Sequence, residues 1–161
     1  MASLNAYLVF NGQCQEAMSF YRSCLGGELI LNTVGDSPQA AQMPAARHDE
    51  IIHSMLSSGR MVLMASDMAS DDGCKPSHTV SLCLICDSSA EMDKLFSGLA
   101  EGGRVRRPPR EEFFGRFAAL TDRFGFNWML MFGGTPTASN GTTWPAAETP
   151  TTRPTRRPGG K

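Results

Sequence analysis

The stretch FYRSCLGGEL, residues 20–29, has a counterpart further along the chain in FSGLAEGGRV, residues 96–105. Each stretch ends an apolar helical pattern at a pair of glycines, which commonly terminate helices, and runs directly into a strand pattern. The two stretches lie 76 positions apart, and Leu8 and Leu84 keep the same separation. This repeat indicates that one structural unit occurs twice in tandem.

Each of the two stretches closes a predicted helix. The first helix is predicted over about residues 13–25, where apolar residues recur at helical spacing: Cys14, Ala17, Met18, Tyr21, Cys24 and Leu25. The second is predicted over residues 88–101, because Ser88 and Glu91 form a capping-box pattern. Its apolar stripe consists of Met92, Leu95, Phe96 and Leu99.

Strand patterns surround both helices. The first half predicts strands over residues 5–10, 28–34, 51–56 and 61–66, and the second half over 79–86, 104–107, 117–121 and 126–132. The expected fold class is α+β, with two tandem βαβββ modules. The predicted organisation is a first module at 1–67, a linker at 68–77, a second module at 78–133 and a disordered tail rich in Pro, Thr and Arg at 134–161.

Composition excludes several classes of protein. Fifteen basic and sixteen acidic residues nearly cancel, which argues against a nucleic-acid partner. No apolar run is long enough to span a bilayer, so we expect no membrane partner. The five cysteines form no disulfide framework and favour a reducing compartment, so the expected localisation is cytoplasmic.

Three segments, residues 4–29, 51–67 and 111–130, resemble the vicinal oxygen chelate superfamily, which includes glyoxalase I, extradiol dioxygenases and the fosfomycin- and bleomycin-resistance proteins. Within that superfamily the chain is similar to the PhnB-like branch. The resemblance implies a curved, cup-like mixed sheet with the helices outside, a small-molecule ligand in the cup and assembly as a homodimer. Phe114-Gly115 stands where the family usually has a Trp-Gly pair, which places Phe114 in the wall of the expected pocket.

Many members of this branch carry the label 3-demethylubiquinone-9 3-methyltransferase. A Rossmann-type cofactor site needs a glycine-rich turn between a strand and a helix, whereas the turn at residues 10–14 contains one glycine. The predicted sheet is also not a parallel, doubly wound one. We therefore expect neither that activity nor its cofactor.

Metal-dependent members of the superfamily place His, Glu or Gln on the cup face of the first and last strand of each module. The resemblance puts these positions at Ala6, Leu63, Ser81 and Met129. A divalent metal needs about three or four converging N, O or S donors, which these side chains do not supply. We expect no conventional metal site and no cofactor, and a pocket lined by these four residues and by Cys83, on the same face as Ser81.

His53, inside a predicted strand, has two interpretations: a hydrogen-bonded structural residue or a polar group of the pocket. Two functions therefore remain open, and it is uncertain whether the protein is an enzyme. The first is binding of a small, largely apolar molecule in the cup. The second is metal-dependent or acid–base catalysis of the glyoxalase or dioxygenase type with non-standard donors such as His53.

Three further features have structural interpretations. Cys14, on the helical stripe, is interpreted as a packed thiol rather than a nucleophile. Asp122 is expected to accept hydrogen bonds from turn amides. The loop at residues 35–49 either contacts the ligand or is solvated.

Overall fold

The computed structural model describes residue 2 and residues 4–69, 73–75, 77 and 79–133. The first module comprises strand β1 (Ala6–Val9), helix α1 (Cys14–Leu25), and strands β2 (Glu28–Thr33), β3 (Ile51–Ser58) and β4 (Met61–Ser66). The second comprises strand β5 (Leu82–Ile85), helix α2 (Ser89–Ala100), and strands β6 (Arg104–Glu112), β7 (Gly115–Thr121) and β8 (Asn127–Phe132). The prediction of an α+β fold with two tandem βαβββ modules is confirmed.

Each module forms its own four-stranded mixed sheet. The strand order is β1-β4-β3-β2 in sheet A and β5-β8-β7-β6 in sheet B. In both sheets the first strand pairs in parallel with the last one, and the other neighbours are antiparallel. The described strands form two separate sheets and do not close into a barrel.

The second glycine of each pair is required by the close approach of two neighbouring strands. Gly27 has a φ of 92° and lies so close to the backbone of Ser57 in β3 that a Cβ would collide with its carbonyl oxygen. Gly103 faces the backbone of Thr121 and Asp122 at the end of β7 in the same way. In both modules the strand after the helix therefore approaches its neighbour where a side chain would not fit.

The helices cover one face of each sheet. Helix α1 contacts β2, β3 and β4, and α2 contacts β6, β7 and β8. The largest side chains that this packing buries almost completely include Trp128, Tyr21, Met18, Leu56, Met92 and Leu130. Each such apolar side chain contributes about 1.5–3 kcal/mol through removal from water. The core is one continuous cluster that extends through both modules.

Contacts between the modules are made mainly by aromatic side chains. The ring of Tyr21 in α1 lies 5.6 Å from that of Trp128 in β8, and its hydroxyl donates to the Asp122 carboxylate at 2.7 Å. Phe20 lies 5.7 Å from Phe124, again measured between ring centroids. The two helices also contact each other. The modules are therefore joined through the helix-covered faces of their sheets.

Strand β6 is longer than expected. The sequence predicted a strand over residues 104–107, but the strand continues to Glu112 through Pro108-Pro109. Proline is tolerated there because β6 lies at the edge of sheet B, where backbone N–H groups need no strand partner.

The predicted tail at 134–161 and His78 lie outside the described residues, as does part of the predicted linker. Among the described residues, no helix is long and apolar enough to cross a membrane.

Candidate functional site

The register of the strands defines two faces on each sheet. In sheet A, Ala6, Leu63, Leu56 and Leu29 form a row across the helix-covered face. The neighbouring row, Tyr7, Met64, Met55 and Ile30, lies on the opposite face, called here the open face of sheet A. Sheet B repeats this arrangement. Its helix-covered row is Leu82, Trp128, Leu120 and Val105, and the row on its open face is Cys83, Met129, Ala119 and Arg107.

Four of the seven predicted pocket residues belong to one region. Cys83 and Met129 are register partners on the open face of sheet B. Ser81 is exposed and precedes Cys83 by two positions, so it follows the same alternation. Phe114, in the β6–β7 turn, lies with its ring 5.8 Å from that of Phe117, which is on the same face. The structure therefore brings Ser81, Cys83, Phe114 and Met129 to one side of sheet B.

His53 lies elsewhere, on the open face of sheet A. Its ring is 6.1 Å from that of Tyr7, and its strand partner is Asn32 in β2. One of the predicted positions, Leu63, needs a correction, whereas Ala6 lines the cavity described below. Leu63 is only 3% exposed and belongs to the hydrophobic core, and Ala6, its register partner, packs against that core. Their side chains lie on the helix-covered face, which is opposite to the face that carries Cys83 and Met129.

A signal for the correct face was present in the repeat itself. Leu8 and Leu84 share the 76-residue separation, and that separation relates Ala6 to Leu82. Leu82 packs against the core beneath the helices. The repeat therefore assigns Ala6 to the helix-covered face and Tyr7, the counterpart of Cys83, to the open face. Met64 is the register partner of Tyr7, as Met129 is of Cys83.

A cavity of about 940 Å³ lies where the two modules meet. Its lining is mainly apolar and comes from β1, from the residues before β5 and from the turn before β8; it includes Ala6, Phe10, Val80, Leu82, Phe124 and Phe126. The polar groups in its wall include Asn11, Gln13, Lys75 and Asn127. A concave, mainly apolar space with a few polar groups is typical of small-molecule sites.

Asn127 connects this cavity with the open face of sheet B. It lines the cavity and is the first residue of β8, two positions before Met129. Its amide nitrogen donates to the carbonyl of Ser77 at 2.8 Å. Its amide oxygen accepts hydrogen bonds from Thr121 at 2.9 Å and from Arg106 at 3.2 Å. This network holds the segment before β5 against β8 and brings a guanidinium group to the edge of the cavity.

Several candidate reactive groups have structural roles instead. Cys14 is fully buried, and burial raises the pKa of its thiol to about 11, so the interpretation as a packed thiol is confirmed. The Asp122 carboxylate accepts from the backbone amides of Phe124 and Phe126 at 2.9 Å each, as expected for a turn. It also accepts from Tyr21 and from the indole of Trp128 at 2.8 Å, two contacts that the sequence did not indicate.

Cys83 and Cys86 do not form a pair. Cys83 is exposed on the open face, whereas Cys86 is buried and 5% exposed. Burial raises the pKa of Cys86 to about 11, with a smaller contribution from the Glu91 carboxylate. A protonated, buried thiol on the opposite side of the sheet from its neighbour is not suited to redox exchange with it.

The loop between β2 and β3 is folded largely on itself. It contains two short 3-10 turns, Ala40–Gln42 and Ala45–Arg47. The imidazole Nε2 of His48 lies 3.0 Å from the carbonyl of Ala40, and Arg47 forms an ion pair with Glu50 at 2.7 Å. The guanidinium group of Arg47 is therefore engaged within the loop.

The residues of the open faces do not fit a conventional metal site. The central positions are Tyr7 and Met64 in sheet A and Cys83 and Met129 in sheet B, which offer a phenol, two thioethers and one thiol. Divalent ions such as Zn²⁺ and Mn²⁺ prefer imidazole, carboxylate or several thiolates. In the part of the chain that the structure describes, no cluster of three or more His, Cys, Asp and Glu side chains is placed to hold a metal ion.

Comparison with known proteins identifies related sequences. The family described as the glyoxalase/bleomycin resistance protein/dioxygenase superfamily matches residues 3–130. Protein YjdN of Escherichia coli is 29% identical over 137 residues, which cover 79% of this chain and 92% of YjdN. Both matches extend over both modules.

Solved structures share the fold. Protein PA1353 from Pseudomonas aeruginosa superimposes with a TM-score of 0.73 at 40% sequence identity, covering 82% of this chain and 98% of that one. A structure described as a putative 3-demethylubiquinone-9 3-methyltransferase, PhnB protein, from Bacillus cereus gives a TM-score of 0.65 at 23% identity, over 82% of this chain and 100% of that one. At that identity the second likeness concerns the fold alone.

Proposed function

Because the chain belongs to the glyoxalase/bleomycin resistance protein/dioxygenase superfamily, we propose that it is a PhnB-like protein that binds a small, largely apolar molecule without a conventional metal ion. The proposed site, called here the apolar site, consists of Cys83, Phe117, Met129 and Met131 on the open face of sheet B, together with the adjoining cavity. The observation that carries the proposal is this cavity of about 940 Å³ with its mainly apolar wall.

Two further observations support this assignment. Met129 and Met131 are partly exposed, and methionine side chains adapt well to apolar ligands of irregular shape. The Asn127 network supplies a polar group at the point where the open face and the cavity meet. A ligand placed there would remove apolar surface from water and still find a hydrogen-bond partner.

The proposal includes assembly as a homodimer. Large apolar side chains are exposed on both open faces, among them Tyr7 at 47%, Ile30 at 43% and Ile85 at 72%. A second copy that covers the side chains of Tyr7, Ile30 and Ile85 would remove this surface from water. Sedimentation velocity at micromolar concentration is expected to give about twice the chain mass of 17.4 kDa, and a monomer at that concentration would contradict this part of the proposal.

The binding proposal is tested with N-phenyl-1-naphthylamine, a neutral, apolar fluorophore whose emission rises in apolar surroundings. We expect saturable binding to the folded protein. Met129→Glu places a carboxylate on the floor of the site, and Val80→Trp fills space in the cavity, where Val80 is 69% exposed. Each variant is expected to weaken binding about tenfold or more. The ligand would meet a charge in Met129→Glu and would find less space in Val80→Trp.

Val105→Glu is the matched control. Val105 is 47% exposed and belongs to the helix-covered row of the same sheet, at its edge. Its replacement should leave the affinity for the fluorophore unchanged. If the fluorophore does not bind the wild-type protein, or binds both site variants as tightly as the control, the apolar site is assigned incorrectly.

A further inference from the structure

Strand β6 is unusually basic for a strand that borders an apolar surface. Its nine residues, RVRRPPREE, contain four arginines, at positions 104, 106, 107 and 110. This strand is the edge strand of sheet B, beside β7.

Two irregularities in the pairing decide where these arginines point. In a regular strand, residues three positions apart lie on opposite faces. The register of β6 shifts between Val105 and Arg107 and again between Arg107 and Arg110. Extra residues at such bulges reverse the alternation.

As a result, three arginines fall on one face. The register pairs Arg104 with Thr121, Arg107 with Ala119 and Arg110 with Phe117. Positions 117, 119 and 121 alternate regularly along β7 and therefore share a face, which is the open face of sheet B. The two bulges thus bring these three guanidinium groups to the side that carries the apolar site, where Arg106 also donates to Asn127.

The arginines differ in their partners. Arg110 forms an ion pair with Glu112 at 2.8 Å, and Arg106 donates to Asn127 at 3.2 Å. Within the described residues, the side chains of Arg104 and Arg107 form neither an ion pair nor a hydrogen bond. Glu111 on the same strand is oriented toward Arg116, 3.9 Å away. No carboxylate among the described residues therefore pairs with the guanidinium group of Arg104 or Arg107.

We propose that the apolar site takes an amphipathic organic anion, whose carboxylate, sulfonate or phosphate group is bound by Arg107 and Arg104 while its apolar body contacts Met129 and Phe117. This inference rests on the proposed function and adds the class of ligand. The planar guanidinium group donates two parallel hydrogen bonds to an anion of this kind. Contact with the apolar floor excludes water and strengthens this attraction.

The test compares two fluorophores with the same carbon skeleton. 8-Anilinonaphthalene-1-sulfonate carries a sulfonate group, and N-phenyl-1-naphthylamine lacks it. The wild-type protein is expected to bind the sulfonate about five times more tightly or better, and Arg107→Gln should abolish this preference while the affinity for the neutral compound stays unchanged. Arg22, which is exposed on helix α1, provides the control. Arg22→Gln removes the same charge and should preserve the preference for the sulfonate.

The outcomes separate the two proposals. If neither compound binds, the apolar site itself is wrong. If the neutral compound binds but the sulfonate has no advantage, or if Arg107→Gln retains that advantage, the site exists and the anion assignment is overturned. Sedimentation velocity of Arg107→Gln is expected to match that of the wild type; dissociation of the assembly would assign these arginines to an interface between copies and overturn the proposal.

Discussion

The two modules have the same strand order, but each uses its buried carboxylate differently. Asp67, at the end of the first module, accepts hydrogen bonds from the backbone amides of Cys14 and Ile51 at 2.9 Å each, so both contacts lie inside its own module. Asp122, in the second module, accepts from its own turn and also from Tyr21 of the first module. One carboxylate therefore orders a module, and the other connects the two.

The starts of the two helices show the same contrast. Helix α2 is capped locally, because the Ser88 hydroxyl accepts from the Glu91 amide at 3.1 Å and the Glu91 carboxylate accepts from the Asp87 amide at 2.7 Å. At α1 the residue in the cap position, Gln13, makes no such side-chain contact, and Asp67 takes over from a distant strand. Helix α2 thus carries its own start signal, whereas α1 depends on the folded sheet.

The largest expected effect comes from the carboxylate that connects the modules. Asp122→Ala leaves the Tyr21 hydroxyl, the Trp128 indole and two backbone amides without their acceptor. Unpaired buried donors cost about 1–3 kcal/mol each, partly relieved by water, so we expect a loss of about 3–4 kcal/mol in urea unfolding. Tyr21→Phe, which removes a single donor, should cost about 1 kcal/mol. No loss for Tyr21→Phe would show that this carboxylate does not connect the modules. Equal losses in both variants would show that its contacts with Trp128 and the two amides contribute nothing.

A smaller loss is expected for the carboxylate that serves one module. Asp67→Ala removes the acceptor of two backbone amides, so the free energy of unfolding should fall by about 2–3 kcal/mol. Asp36→Ala serves as control, since Asp36 makes its contacts with Thr33 in an exposed turn and should cost less than about 0.5 kcal/mol. If Asp67→Ala is more damaging than Asp122→Ala, the proposed difference between the modules is reversed.

Loss of the side chain at the cap position should lower the free energy of unfolding by about 1 kcal/mol more at α2 than at α1. Ser88→Ala removes the side-chain cap of α2 and is expected to lower the free energy of unfolding by about that amount. Gln13→Ala, at the corresponding position of α1, removes no cap and should change stability by less than about 0.3 kcal/mol. Equal losses in chemical denaturation would refute the distinction between a local and a distant cap.

The smallest expected effect is on how the free energy of unfolding depends on pH in the alkaline range. Burial raises the pKa of Cys14 to about 11, above that of a thiol in an unfolded chain, about 8.5. The unfolded chain therefore releases its proton first, so this contribution to stability is complete below about pH 8.5 and is lost as the pH rises toward 11. Cys14→Ala should make stability fall less steeply over this window, whereas replacement of the exposed Cys74 should leave the slope unchanged.

Most of the fold was predictable because its signals are local. Helix α1 was predicted over about residues 13–25 and begins one residue later, at Cys14, while β4 was predicted over 61–66, as the structure has it. These segments combine a clear period with glycine at the boundary. Strand β6 was predicted too short, because Pro108-Pro109 signals a break in the local sequence and is acceptable only through the strand's position at a sheet edge.

The candidate site was less predictable. Alternation along a strand separates two sets of residues, but it does not say which set the helix covers. The positions Ala6 and Leu63 were taken from the superfamily pattern, while the repeat relates Ala6 to Leu82, which packs against the core, and the pairing of β1 with β4 places Leu63 beside Ala6. The arginines of β6 were missed for another reason: the bulges that bring them to one face appear only in the pairing with β7.

The two prolines of β6 also restrict how sheets of this protein are able to grow. Addition of a strand to an edge requires free backbone N–H groups, and proline supplies none. The other edge strands, β1, β2 and β5, contain no proline. Strand-to-strand polymerisation, the first step toward a fibril, is therefore disfavoured across the β6 edge. Among the described strands, addition of another chain is more favourable at the three edges that contain no proline.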